Sequence, residues 1–311
     1  MANLKSIKTK IVSYKKTGTV THAMEAVSAV KMRKTQMRAL NARAYSAAAL
    51  SILERLAGTS GLRQHPLMQD VRPTRSNMKT CFIVVTSDKG LAGSLNNAVI
   101  KAVERELASR SLSRENVVMI AVGRRGGDYF ATRGYDVREK LENVGDGVAE
   151  GDVRTVTDKV LAWRKSGEIG DCFVAYQNFL STFEQEAGVR QLIPITPEMV
   201  AEMVKHIRPA KGKYAPKHDE MTSHRVAAYT IEPDPDEVLD VLLPKLLNIA
   251  VFHALLENKA SEHSARMVAM KNATDKAKEM AHDLTRTFNK VRQAAITREV
   301  SEITSGIEAM K

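Results

Sequence analysis

The feature that most constrains this chain is its last quarter: from Asp236 to Ser305 there is no glycine, and the one proline is Pro244. Within that stretch the stride Leu239, Leu242, Leu246, Ile249, His253, Leu256, Ala260, His263, Met267, Met270, Thr274, Ala277, Ala281, Leu284, Phe288, Val291, Ala295 is apolar at 14 of 17 positions. A 3,4 stride held for so long predicts one continuous helix with a single apolar seam. The start is marked as well, since Asp234 can cap, Pro235 suits the first helical position and Glu237 closes a capping box. With a possible kink at Pro244, the helix should run to about residue 305. At ~1.5 Å per residue, ~60 residues make a rod on the order of 90 Å. Such a rod does not fit inside a compact domain, and a lone helix buries too little of its seam, so a partner helix is required.

The other end of the chain offers one. From Leu4 to Leu56 there is no proline and a single glycine, Gly18, among many Ala, Lys, Arg, Met and Leu. The stride opens with Leu4, Ile7, Ile11 and Tyr14, then passes through Ala23, Ala26, Ala29, Ala39 and Ala42, where small side chains let a second helix approach closely. The economical fold pairs the two ends antiparallel.

Between them, Gly58, Gly61, Pro66 and Pro73 mark a connector, after which strand and helix patterns alternate. Strands are expected at Thr80 to Thr86, Asn116 to Val122, Asp171 to Tyr176, Gln191 to Ile195 and Arg225 to Ile231. Helices are expected at Ser94 to Ser109 and Gly151 to Lys165. This alternation predicts an open, mainly parallel α/β sheet. The expected domains are an N-terminal helix at 1–57, a connector and α/β domain at 58–232, and a C-terminal helix at 233–311. Residues 208–222 have the composition of a mobile basic loop.

Charge is distributed unevenly. The net charge is +11. Residues 1–56 carry 11 Lys/Arg against Glu25 and Glu54, net +9, and residues 236–311 carry 11 against 11, net zero, leaving +2 for the middle. The basic helix has only two aromatic residues, Tyr14 and Tyr45, and no helix-turn-helix, zinc or base-stacking signature. A ridge such as Lys31-Met32-Arg33-Lys34 suits sliding past acidic protein surfaces, an attraction that is long-ranged and not tied to one register. Cys81 and Cys172 each sit in an apolar strand-like run and are expected as free thiols. No uninterrupted run of roughly 18 to 20 apolar residues is present, and the N-terminus has no secretion-signal pattern, so no membrane crossing is expected.

Catalytic chemistry is poorly represented. Ser87-Asp88-Lys89-Gly90-Leu91-Ala92-Gly93-Ser94 lies between a strand and a helix, where backbone amides can cradle a phosphate. It lacks the Gly-Lys-Ser/Thr ending of a P-loop and the spacing of a dinucleotide site, so it reads as a structural turn. Gly123-Arg124-Arg125-Gly126-Gly127-Asp128 reads as a loop with solvated arginines. His253 with Glu257 and Glu262 with His263 lack a metal-binding pattern and read as polar residues on a helix seam. No catalytic, metal or cofactor-binding residue is assigned.

Specific strings narrow the reading. They are Leu4-Lys5-Ser6-Ile7-Lys8-Thr9-Lys10-Ile11, His22-Ala23-Met24-Glu25-Ala26-Val27, Ser87-Asp88-Lys89-Gly90-Leu91, Glu232-Pro233-Asp234-Pro235, the run from Ser261-Glu262-His263-Ser264-Ala265-Arg266-Met267 to Thr274-Asp275, and Asn289-Lys290-Val291-Arg292-Gln293-Ala294-Ala295-Ile296-Thr297. Together they resemble the gamma subunits of bacterial F-type ATP synthases. The resemblance implies an antiparallel coiled coil with a Rossmann-like domain, acting as the central stalk. The shaft would stand inside a ring of alpha and beta subunits, and its foot would rest with the epsilon subunit on the membrane c-ring. Proton flow would turn it, so that rotation changes each beta site in turn.

By resemblance, Arg292, Gln293 and Thr297 contact the beta subunit's catch loop, and Met24, Lys31 and Arg33 pass its acidic lever. Tyr229 and Glu232 belong to the foot near the c-ring and epsilon. The implied chain is non-catalytic, without cofactor or nucleic acid, and peripheral to the cytoplasmic face of the bacterial plasma membrane. Departures from the family pattern are Ala92 and Ser94 in the glycine loop, Lys276-Ala277-Lys278 after Asp275, and Arg298 in place of a common glutamine. The regulatory cysteine insert of chloroplast relatives is absent, so thiol control is not expected. A basic coiled-coil nucleic-acid binder and a nucleotide-binding α/β enzyme remain the alternatives.

Overall fold

The computed structural model describes residues 4–56, 65–69, 78–196 and 235–310. In chain order these form α1 (Leu4–Leu56), β1 (Lys79–Val85), α2 (Leu95–Ser109), β2 (Val117–Val122), α3 (Arg124–Thr132), β3 (Asp136–Leu141), α4 (Glu150–Lys165), β4 (Ile169–Phe179), β5 (Gln185–Ile193) and α5 (Pro235–Ala309). The 53 residues of α1 and 75 of α5 match the breaker-free stretches, and α5 passes through Pro244 without ending. The strand expected at Arg225 to Ile231, the loop at 208–222 and the cap at Asp234 lie outside the described residues.

The five strands form one sheet in the order β3-β2-β1-β4-β5. β1 pairs in parallel with β2 and with β4, β2 in parallel with β3, and only the β4–β5 hairpin is antiparallel. The alternation of side chains along the strands builds two cores, one on each face. Phe82, Val84, Met119 and Phe173 meet Val99, Val103 and Leu107 of α2 and Phe130 of α3. On the other face Ile83, Val118, Ile120 and Val174 meet Val153, Val156 and Val160 of α4 and Leu239 to Leu256 of α5. Burial on both faces explains why the central strands read as unbroken apolar runs. Cys81 and Cys172, paired in register on β1 and β4, are free and fully buried, and burial pushes the Cys172 thiol well up.

The apolarity of α5 also requires a correction. By length and composition it is apolar enough to cross a membrane, contrary to the expectation above, but 56% of its most apolar 18-residue window is buried inside the protein.

A second correction concerns 123–141. Gly123 to Asp128, read as a loop, instead lead into and open α3, and β3 follows; no pattern signalled either element. Gly126 and Gly127 look like helix breakers, yet here they permit close packing. A Cβ on Gly126 would lie 2.9 Å from Thr86 Cγ2 and 3.2 Å from Val84 Cγ1, and one on Gly127 would lie 3.1 Å from Ala121. Nor is Arg124 merely solvated, since its Nη2 donates to the Asp88 carbonyl at 3.3 Å.

The connector is held by Arg164 at the end of α4. Its buried guanidinium donates to the carbonyls of Pro66, Gln69 and Gly170, and Ile195 N donates to the Leu67 carbonyl. The chain divides into two compact units, one of Met1–Ala29 with Arg266–Lys311 and the other of Val30–Ala265.

Candidate functional site

In the first unit the two helices run antiparallel with small residues between them. The Thr21 and Thr274 hydroxyls are hydrogen-bonded at 2.6 Å, and a Cβ on Gly18 would meet Ala277 Cβ at 3.7 Å. Each pair of positions sums to 295, so Leu4 stands opposite residue 291. The remainder of α5 therefore runs on beyond the described end of α1.

That overhang carries the expected catch residues. Arg292, Gln293 and Thr297 are all exposed, and Thr297 Oγ1 donates back to the Gln293 carbonyl at 3.0 Å, one turn earlier on the same face. Arg298 donates instead to Glu302 within the helix, at 2.8 Å. Beside them lies a feature missed in the sequence: Ile296, Val300, Ile303, Ile307 and Met310 are between 51% and 90% exposed. Their spacing is that of one helix face, and a 4,3 stride begun afresh at Ile296, one position past Ala295, signals it in the sequence.

Of the expected lever residues on α1, Met24 is partly buried, whereas Lys31 and Arg33 are exposed. Lys31 is already engaged, its Nζ lying 3.0 Å from Asp146 Oδ2. Tyr229 and Glu232 lie outside the described residues.

The candidate phosphate cradle is occupied by its own side chains. Asn96 Oδ1 accepts from Ser87 N at 2.9 Å, Ser87 Oγ donates to the Lys89 carbonyl at 2.6 Å, and Asp88 accepts from Arg124 N at 3.1 Å and Asn143 N at 3.0 Å. A carboxylate at the start of α3 stands where an anionic ligand would sit, which agrees with a structural turn. The carboxyl end of β4, beside the point where strand order reverses and such sheets commonly bind ligands, is covered by α5. There Asn258 Oδ1 accepts from Gln177 N at 3.2 Å, Ser261 Oγ donates to the Gln177 carbonyl at 3.1 Å, and Ser264 Oγ donates to the Thr182 carbonyl at 2.6 Å. His253, Glu262 and His263 are buried on α5 within the second unit, where His263 meets Asp146 of the α/β part. Among the described residues no cluster of three or more His, Cys, Asp or Glu is placed to hold a metal ion.

Comparison with known proteins agrees with this architecture. The family model described as ATP synthase matches residues 3–310. The chain is 36% identical to the ATP synthase gamma chain of Pelotomaculum thermopropionicum over the full length of both. It is 35% identical to the sodium-ion-specific ATP synthase gamma chain of Acetobacterium woodii over 99% of each. Its fold is similar to a chain from the Euglena gracilis mitochondrial ATP synthase, with a TM-score of 0.63 at 16% identity, covering 99% of this chain and 94% of that one. A chain from the central stalk and c-ring structure of the Tetrahymena thermophila enzyme gives a TM-score of 0.56 at 23% identity, covering 82% of this chain and 99% of the other. An antiparallel pair of terminal helices around an open α/β sheet, matched by full-length relatives above 30% identity, decides the assignment: the chain belongs to the gamma-chain family of F-type ATP synthases, whose members form the enzyme's central stalk.

Proposed function

We propose that this chain is the non-catalytic rotor of a bacterial ATP synthase, turned by a membrane c-ring under proton flow and changing the beta-subunit catalytic sites in sequence as it turns. The observation that carries the reading is the overhang of α5, where one continuous helix presents a polar group (Arg292, Gln293, Thr297) beside an exposed apolar stripe (Ile296 to Met310). A rotor tip needs a few directional hydrogen bonds at defined angles and otherwise a surface without fixed register. Each charge-assisted contact here would contribute only about 1 to 3 kcal/mol. The basic face of α1, with Met24, Lys31 and Arg33, passes the acidic lever of beta. Tyr229 and Glu232 form the foot with the epsilon subunit on the c-ring. The helical ends, 1–57 and 233–311, make the shaft, and 58–232 its base. The chain is then peripheral to the cytoplasmic face of the plasma membrane and binds neither cofactor nor nucleic acid.

The test is a pull-down from native membranes with an affinity tag inserted at 208–222. Recovery of alpha, beta and epsilon chains with ATPase activity supports the reading; recovery of the chain alone, or with nucleic acid, overturns it. Removal of residues 292–311 should weaken coupling between hydrolysis and ion pumping while the complex still assembles, and unchanged coupling would remove the catch assignment. Pumping that demands sodium would correct the proton to sodium, as the name of the Acetobacterium relative indicates for that protein.

A further inference from the structure

The loop between β3 and α4 is built in a way that the shaft-and-base description does not require. It contains two non-glycine residues in the left-handed region, Asn143 at φ 59° and Val148 at φ 48°. For a β-branched residue such as Val148 this is strained and persists only where the surroundings impose it. Val144 and Val148 are buried in the core, so the loop is anchored on both sides of Asp146. Asn143 N donates to Asp88 Oδ2, which ties the loop to the carboxyl end of β1.

Held in this way, Asp146 reaches both long helices. Its Oδ2 lies 3.0 Å from Lys31 Nζ on α1, and its Oδ1 accepts from His263 Nε2 on α5 at 2.7 Å. His263 is 5% exposed and Asp146 32%. One turn pair further along α1, Arg38 rests against Gly147, where any Cβ would overlap its guanidinium. Lys31 and Arg38 are seven residues apart, hence on one face of α1, and both meet this loop.

From this geometry we infer that Asp146 is a positioning residue, the carboxylate through which the α/β part grips α1 and α5 together so that torque passes between them. The inference rests on the rotor reading above. It also gives Lys31 a role inside the chain, distinct from contact with a beta subunit. Burial pushes the Asp146 carboxyl up, but hydrogen bonds from Lys31 and His263 outweigh it, so the carboxyl lies below its ordinary range and stays ionised at neutral pH.

The experiment compares the assembled complex in inverted membrane vesicles carrying wild-type chain, Asp146→Asn, Asp146→Glu, Lys31→Met, and Lys31→Met with Asp146→Asn. The readouts are ions pumped per ATP hydrolysed and amide exchange at 29–35 and 142–149. Asp146→Asn should lower pumping per ATP about two- to fivefold, the range that a partly exposed ion pair carries. Amide exchange in both segments should rise, while β1 exchanges as before. Asp146→Glu should recover most of the pumping, and the double variant should be no worse than the worse single one, because both remove the same interaction. Losses that multiply would assign Lys31 to a separate contact and overturn the inference, as would pumping and exchange unchanged in Asp146→Asn. A wild-type complex that hydrolyses ATP but pumps nothing would instead overturn the rotor reading and the torque role with it.

Discussion

The two compact units of this chain are held together by opposite means. In Val30–Ala265, the sheet buries Phe82, Ile83, Val118, Ile120 and Phe173 at no more than 1% exposure between layers of helix. In the unit made from the two ends the buried side chains are mostly small: a threonine pair, a glycine against an alanine, and Ala281, with Ile7 and Met270 as larger ones. Large apolar side chains supply stability by area, roughly 25 cal/mol per Å² removed from water. Small ones supply close approach and leave the outer faces of the helices free for partners. The first arrangement gives a unit with a core of large side chains, and the second a helix pair that buries little area of its own.

Glycines bring out the contrast most sharply. Gly123→Ala should be the most damaging of the changes considered. Gly123 sits at φ 94°, and a Cβ there would stand 2.2 Å from the Thr86 carbonyl oxygen. A loss of at least about 3 kcal/mol is expected in denaturant unfolding. A variant of near wild-type stability would mean that the turn into α3 is looser than described. Phe82→Ala comes next, at about 3 to 5 kcal/mol, from a fully buried ring stacked on Phe173 at 5.4 Å. Gly126→Ala should cost about 1 to 3 kcal/mol by overpacking against Thr86 and Val84.

The shaft should respond weakly, and in one case with opposite sign. Thr274→Val removes the hydroxyl pair with Thr21 and should cost about 1 kcal/mol, seen as faster amide exchange confined to the first unit. Gly18→Ala should stabilise α1 by about 0.5 to 1 kcal/mol, because alanine is the better helix former and its Cβ would meet Ala277 at an ordinary contact distance. Loss of stability there would show that the helices are packed more tightly than the 3.7 Å approach implies.

The base should also show a distinct acid response. The folded-state carboxyl of Asp146 is depressed, so its contribution is present above the ordinary carboxylate value of about 4 and is lost as pH falls through the lower folded value. A titration of unfolding below about pH 4 should therefore be shallower in Asp146→Asn than in wild type. Identical slopes would detach the carboxylate from stability.

What could be read from the chain in advance follows from how local each signal is. The two long helices were evident because periodicity and the absence of breakers are properties of neighbouring residues, and the tertiary structure extended α5 only to Ala309. The central strands β1, β2 and β4 stood out as short apolar runs, since burial on both faces leaves no room for polar residues. α3 and β3 did not: β3 alternates polar and partly buried residues at a sheet edge, and α3 has two glycines in its first turn that let it lie close to Thr86 and Ala121. Of the expected site residues, Arg292, Gln293 and Thr297 are singled out by resemblance alone, while the exposed apolar stripe that starts at Ile296 among them came to light only in the structure.

The sequence by itself determined that the two ends are helical, that they must pair, and that the middle is an alternating α/β sheet. The tertiary structure alone decided that α5 serves two cores along its length, packing leucines on the sheet and small residues on α1. It also placed Lys31, Asp146 and His263 together from positions more than a hundred residues apart. Helix formation is decided within a few turns of chain, whereas a carboxylate finds its partners only once distant segments have been packed against one another.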